Sequence, residues 1–151
     1  MKRKIILFVF LFSNFLFAFA QNESDKYLET GWYYIENEGV GIPRISEETK
    51  EIVYINPKPI ATAKNFKELK IYQDSDGAYG LTMKLNKIGT NEWSIATGKS
   101  IGKHLAFIFN DKLIFTPRVN AQIDFGITAL NRGDLTKEEL EEIKKQIEIK
   151  K

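Results

Sequence analysis

Cysteine is absent from this chain, and histidine occurs once, at His104. Without cysteine there can be no disulfide staple, thiolate metal site or cysteine nucleophile, so stability has to come from packing alone. With 43% hydrophobic residues, many of them aromatic, the composition is adequate for that. A single histidine allows at most one such member in a catalytic triad or metal cluster, and no Ser or Asp motif surrounds it in sequence. His104 therefore reads as a surface or edge residue, with a spatial partner such as Asp124 left open. Charge of one sign is also lacking. Beyond the first twenty residues, 19 basic side chains face 20 acidic ones, a formal net charge of −1 against +2 for the whole chain. A basic nucleic-acid or membrane-surface footprint is thereby excluded.

The N-terminus reads as an address. Lys2, Arg3 and Lys4 precede an apolar run from Ile5 to Phe12, which Ser13 and Asn14 interrupt before Phe15 to Ala20. The run is shorter than the ~20 residues of a spanning helix. Small residues at Ala18 and Ala20 suit a signal peptidase, so cleavage is expected before Gln21. The expectation is a leader over 1–20, a flexible stretch over 21–30 and a single domain over 31–151. The mature chain of 131 residues is long enough for one real core. It should be exported, to the periplasm or beyond the cell, with no membrane span after cleavage.

Residue patterning along the domain predicts mostly strands. Gly31 to Ile35 is rich in β-forming aromatics; Gly39, Gly41 and Pro43 should break it. Glu51 to Ile55 should form a second strand, stopped by Pro57 and Pro59. Leu69 to Tyr72 and Tyr79 to Leu85 flank Asp74-Ser75-Asp76-Gly77, a hairpin signal. In the second arm Tyr79, Leu81, Met83 and Leu85 alternate with small or polar residues, which places them on one face. Asn91 to Thr97 is a short helix candidate, capped by Asn91 or Thr90, with Trp93 and Ala96 turned inward. Leu105 to Phe109 and Leu113 to Thr116 form a second hairpin around Asn110-Asp111, and Ile123 to Leu130 is another strand. Thr136 and Glu139 stand at capping-box spacing, flanked by the staple pair Leu135 and Leu140. Leu140, Ile143 and Ile147 then share one helical face, and the acid-early, base-late order suits the helix dipole. The fold class is α+β: a mostly antiparallel sheet, a short central helix and a C-terminal helix packed on one face.

Candidate ligand motifs fail on spacing. Asp74-x-Asp76-Gly77 resembles the opening of a calcium loop, but Leu85 stands where a bidentate Glu is needed. Gly98-Lys99-Ser100 lacks the upstream glycine of a phosphate loop. No metal or cofactor is expected. Trp32, Tyr33 and Tyr34 in succession cannot all face one core, so packing under the 36–51 loop or an exposed partner-binding patch is expected there.

Gly102, Leu105, Ala106, Pro117, Val119, Asn120, Ile123, Gly126, Thr136, Glu138 and Glu139 together resemble the motif of the head subdomain in the first periplasmic domain of SecD, from the SecDF protein-translocation machinery. Upstream, Pro59-Ile60, Asp74 to Gly77, Leu81 to Leu85, and Trp93, Thr97 and Lys103 follow its looser pattern. The chain departs from it at Asn110-Asp111, where the family has Asp-Gly, and at Gly133, one residue late. The resemblance implies the fold and an exported location. It points to polypeptide binding, while the lack of later transmembrane segments leaves out any motor role.

The expected function is a non-enzymatic exported module that engages extended or translocating polypeptide, or components of the export apparatus, by strand addition to an open sheet edge. The alternative is an inhibitor or immunity-type protein directed at one folded partner.

Overall fold

The computed structural model describes residues 26–151, so the expected leader, with its cleavage residues Ala18, Ala20 and Gln21, lies outside the described residues. Eight strands and two helices follow in order: β1 (Gly31–Glu36), β2 (Ile42–Ile45), β3 (Ile52–Thr62), β4 (Phe66–Gln73), β5 (Tyr79–Leu85), α1 (Lys87–Lys99), β6 (Leu105–Phe109), β7 (Lys112–Phe115), β8 (Ile127–Leu130) and α2 (Lys137–Ile149). All strand pairs are antiparallel, which matches the α+β expectation.

The strands form two sheets, where a single one was expected: β2-β3-β1-β6-β7 and β4-β5-β8. The larger sheet curls until its edges touch. Ser46 bridges Leu113 in parallel, and Glu47 N–H donates to Leu113 O at 2.9 Å. The concave side encloses a small core of Leu28, Tyr33, Ile42, Ile55, Ala106, Ile108 and Leu113. The other side carries the main core, shared with the second sheet and both helices, where Trp32 meets Trp93 at a ring separation of 5.0 Å and Phe107 at 4.9 Å.

Two-sided burial explains the aromatic run. Trp32 and Tyr33 are both 1% exposed because alternation sends them into different cores. Half-buried Tyr34 packs against the main core, so none of the three forms an exposed patch. β2, within the 36–51 region, supplies Ile42 to the core beneath Tyr33.

Several expected boundaries move. β3 runs through Pro57 and Pro59 because β2 pairs only with Ile52–Ile55, which leaves the later half of β3 at an edge where a missing N–H is tolerated. Two register shifts against β1 absorb the irregularity. β2 itself contains Pro43. Ser46 N–H reaches Glu51 O, so ladder bonds fall at residues 42, 44 and 46 and Pro43 lacks only an outward donor. α1 starts four residues earlier than Asn91, capped by Asn86 Oδ1 on Gly89 N–H at 2.8 Å. Gly89 is buried, and a Cβ there would meet Asn65 Cβ at 2.9 Å, so the first turn is docked by a residue that hides the apolar period. β8 begins at Ile127 rather than Ile123, since Ile123 N–H is taken by Thr97 Oγ1 at 2.9 Å.

Gly126 stands at φ +68, and a Cβ would lie 2.2 Å from Thr90 Oγ1. Gly133 stands at φ +85 with nothing within 4 Å. Gly126→Ala should therefore cost roughly 2–4 kcal/mol, from left-handed strain plus overpacking. Gly133→Ala should cost only about 1–2 kcal/mol, from strain alone. Chemical denaturation of the two variants reads the difference, and equal midpoints would show that the α1–β8 contact is loose.

Candidate binding surface

An unpaired strand edge is where a sheet can accept further extended chain, and the two sheets have four edges, β2, β7, β4 and β8. The β2 and β7 edges of the larger sheet close on each other through Ser46, Glu47 and Leu113. What remains of the β2 edge is poor in donors, because Pro43 has none and its carbonyl accepts from Arg44 Nη1 at 2.8 Å. β8 is an edge of only four residues.

β4 is different. It is eight residues long and pairs on one side only, with β5. Asp74 N–H donates to Ala78 O at 2.9 Å, so the pairs Tyr72–Gly80 and Lys70–Thr82 carry the ladder bonds. Alternation then turns the N–H and C=O groups of Leu69, Ile71 and Gln73 outward, away from β5. Lys151 Nζ caps the outward carbonyl of Lys67 at 3.3 Å. The strand is held rigidly from behind: Leu69 is buried in the main core, half-buried Ile71 packs on it, and α2 lies against β4 and β5. Tyr72 spans the opposite face over Gly80, where a Cβ would meet the ring at 2.4 Å.

His104 lies exposed between two shallow clefts. One, of about 590 Å³, is lined by Tyr34, Glu36, Lys99 and Lys103; the other, of about 640 Å³, by Glu38, Glu51, Tyr54 and Thr116. Its Nδ1 is engaged with Thr116 O at 2.8 Å, and its backbone pairs with that of Arg118 in a single antiparallel bridge. Asp74 Oδ1 accepts from Asp76 and Ala78 N–H at 2.9 and 3.0 Å, so its carboxylate organises the turn. No group of three or more His, Asp or Glu side chains placed to hold a metal occurs among the described residues.

The sequence-motif residues occupy structural positions. Gly102 N–H bonds Val119 O, Val119 N–H bonds Lys103 O, and Leu105 N–H bonds Pro117 O, which stitches the end of β7 to the start of β6. Leu105 and Ala106 are buried in opposite cores, while Asn120 is exposed. Thr136 and Glu139 form the capping box, with Thr136 N–H to Glu139 Oε2 at 2.8 Å and Glu139 N–H to Thr136 Oγ1 at 3.2 Å; Glu138 sits exposed in the same turn. Shifted titrations are likewise structural. Burial, with Glu29 nearby, pushes the Tyr33 phenol upward, and its hydroxyl donates to Glu29 O at 2.8 Å. Arg132 grips both oxygens of Asp134 and holds that carboxyl below the usual range, but the aspartate is exposed and the pair contributes little.

Two features escaped sequence reasoning. Arg44 on β2 reaches Asp111 in the β6–β7 turn, joining elements 67 positions apart. Ile45 and Ile52, paired across β2 and β3, both face solvent; β2 itself was the missing signal.

No curated protein sequence matches the chain. Among solved structures it is similar to SecDF in a super-membrane-facing form, with TM-score 0.56 and 21% identity over 64% of this chain and 13% of that one. It is also similar to a SecDF structure described as a membrane component that enhances protein export, with TM-score 0.54 and 21% identity over 59% of this chain and 40% of that one. The chain thus spans well under two thirds of either protein, and the likeness is one of fold. The family model described as SecDF, P1 head subdomain, matches residues 40–148, and the chain belongs to that family.

Proposed function

We propose that this chain is a non-enzymatic, exported polypeptide-binding module of protein export, taking up extended chain by strand addition along β4. The observation that carries the reading is the outward backbone of Leu69, Ile71 and Gln73 on a strand anchored from behind by the main core. Main-chain bonds along such an edge supply affinity that depends weakly on peptide sequence, as a protein handling many clients requires. Membership of the SecDF head family, and the enhancement of protein export described for one structural neighbour, support the same direction. The non-enzymatic part is supported by the engagement of the lone histidine with a main-chain carbonyl.

Titration with the unfolded and folded forms of one exported protein tests the proposal. The unfolded form should bind in the micromolar range, because ordering an unstructured segment offsets much of the contact energy. Hydrogen exchange should slow at Leu69, Ile71 and Gln73. Ile71→Pro removes an outward donor without touching the β5 ladder, and should abolish uptake while the protein still melts cooperatively. Tight binding to a single folded partner, with none to unfolded chains, would overturn the proposal in favour of an inhibitor.

A further inference from the structure

Main-core coverage of the larger sheet stops short of its β2–β3 end. Tyr54 stands opposite Glu36, on the side of β1 that carries Trp32 and Tyr34. Pro43 is its partner on β2, and one step further Ile45 faces Ile52. Pro43, Ile45, Ile52 and Tyr54 therefore form one patch, in which Ile45 is 64% and Ile52 61% exposed. Two large aliphatic side chains paired on a strand ladder and left in water are a cost that packing did not remove.

Acid predominates around this patch, although Arg132 lies 4.0 Å from Glu47 and Lys99 and Lys103 line the neighbouring cleft beside Glu36. Glu36, Glu38, Glu47, Glu48 and Glu51 all lie between residues 36 and 51, whereas the only bases there are Arg44 and Lys50. Arg44 is bound to Asp111, and Lys50 Nζ donates to Glu47 O at 2.7 Å. A second copy of the chain is a poor occupant, since self-association would set like charges against each other. An anionic surface is repelled for the same reason. Main-chain capture at β2 is also limited, because Glu47 N–H is already bonded to Leu113 and Pro43 has no donor.

We propose that this face is a docking surface for a polypeptide segment that interleaves aliphatic residues with lysine or arginine. The aliphatic side chains seat on Ile45, Ile52 and Tyr54, and the cations are held by Glu36, Glu38 and Glu51, which line one cleft with Ile52 and Tyr54. Recognition here is through side chains and charge, on a different sheet from the β4 edge, so the two surfaces succeed or fail separately.

The test uses a fluorescent twelve-residue peptide of alternating lysine and valine, with glutamate replacing lysine in a second peptide. The lysine peptide should bind saturably and weaken as salt rises from about 0.05 to 0.5 M; the glutamate peptide should not bind. Ile45→Thr with Ile52→Thr should weaken binding about tenfold or more, and so should Glu38→Gln with Glu51→Gln. Ile71→Pro should leave it unchanged. In the unaltered protein, amide shifts on adding the peptide should centre on residues 43–54. Equal binding of both peptides, binding of neither, indifference to the isoleucine changes, or shifts centred on β4 would each overturn the proposal. So would a dimer in sedimentation that Ile45→Thr dissolves.

Discussion

Asp111→Ala should unfold the protein several degrees earlier, at a cost of about 2–4 kcal/mol. The Asp111 carboxylate accepts from Leu28 N–H at 2.8 Å and from the Arg44 guanidinium, whose Nε also reaches the Asp111 carbonyl at 3.0 Å. Arg44 Nη2 continues to Lys26 O at 2.7 Å. One turn residue thus ties β2, the β6–β7 hairpin and the segment before β1 at the rim of the small core. Truncation leaves a guanidinium only 13% exposed without its counter-charge and the amide of buried Leu28 without an acceptor. Alanine is also a poorer occupant than aspartate of the left-handed backbone at φ 68. Asp111→Asn keeps an acceptor and tolerates that conformation, so it should recover more than half of the loss. Thermal melts of the two variants decide the matter; equal melts for Asp111→Ala and the unaltered protein would show that the rim is not held this way.

The larger effect is expected at Leu140→Asp. Leu140 is 0% exposed on the face of α2 that covers β4 and β5, with Ile143 and Ile147 beside it. Burying an unpaired carboxylate there costs several kcal/mol, a large share of a total margin of about 5–15 kcal/mol. Far-ultraviolet melts should show most of the chain unfolded near physiological temperature. Thr136→Ala removes only one cap bond of the same helix and should cost about 1 kcal/mol. Equal stability of the two variants would mean that α2 is not docked on the second sheet. Because α2 backs β4, partial unfolding by Leu140→Asp should also abolish uptake of unfolded chains.

Local signals were legible where one residue's neighbours in sequence are also its partners in space. The capping box at Thr136 and Glu139, the Leu140-Ile143-Ile147 face and the Asp74–Gly77 hairpin all follow from spacings of two to four residues. The Asn110-Asp111 turn was legible as a turn, and its positive φ values, 49 and 68, fit a tight hairpin. Legibility failed where a local rule met a distant partner. Pro43, Pro57 and Pro59 read as strand breakers, yet each stands in a strand, because what matters is whether the missing donor faces a neighbour or an edge. Asn86 was passed over as a cap because it directly follows Leu85, with the helix period masked by buried Gly89 and exposed Ile88.

By itself, the sequence determined the strand-rich α+β class, the two hairpins, the C-terminal helix and the family resemblance, since all rest on residue type and short-range periodicity. Only the tertiary structure decided that there are two sheets, that Trp32 and Tyr33 enter separate cores, that β4 keeps an open edge while β2 and β7 close on each other, and that Ile45 and Ile52 remain in water. Those outcomes depend on which strands become neighbours. That choice is made by long-range packing and ladder register, which alternation along any one strand does not encode.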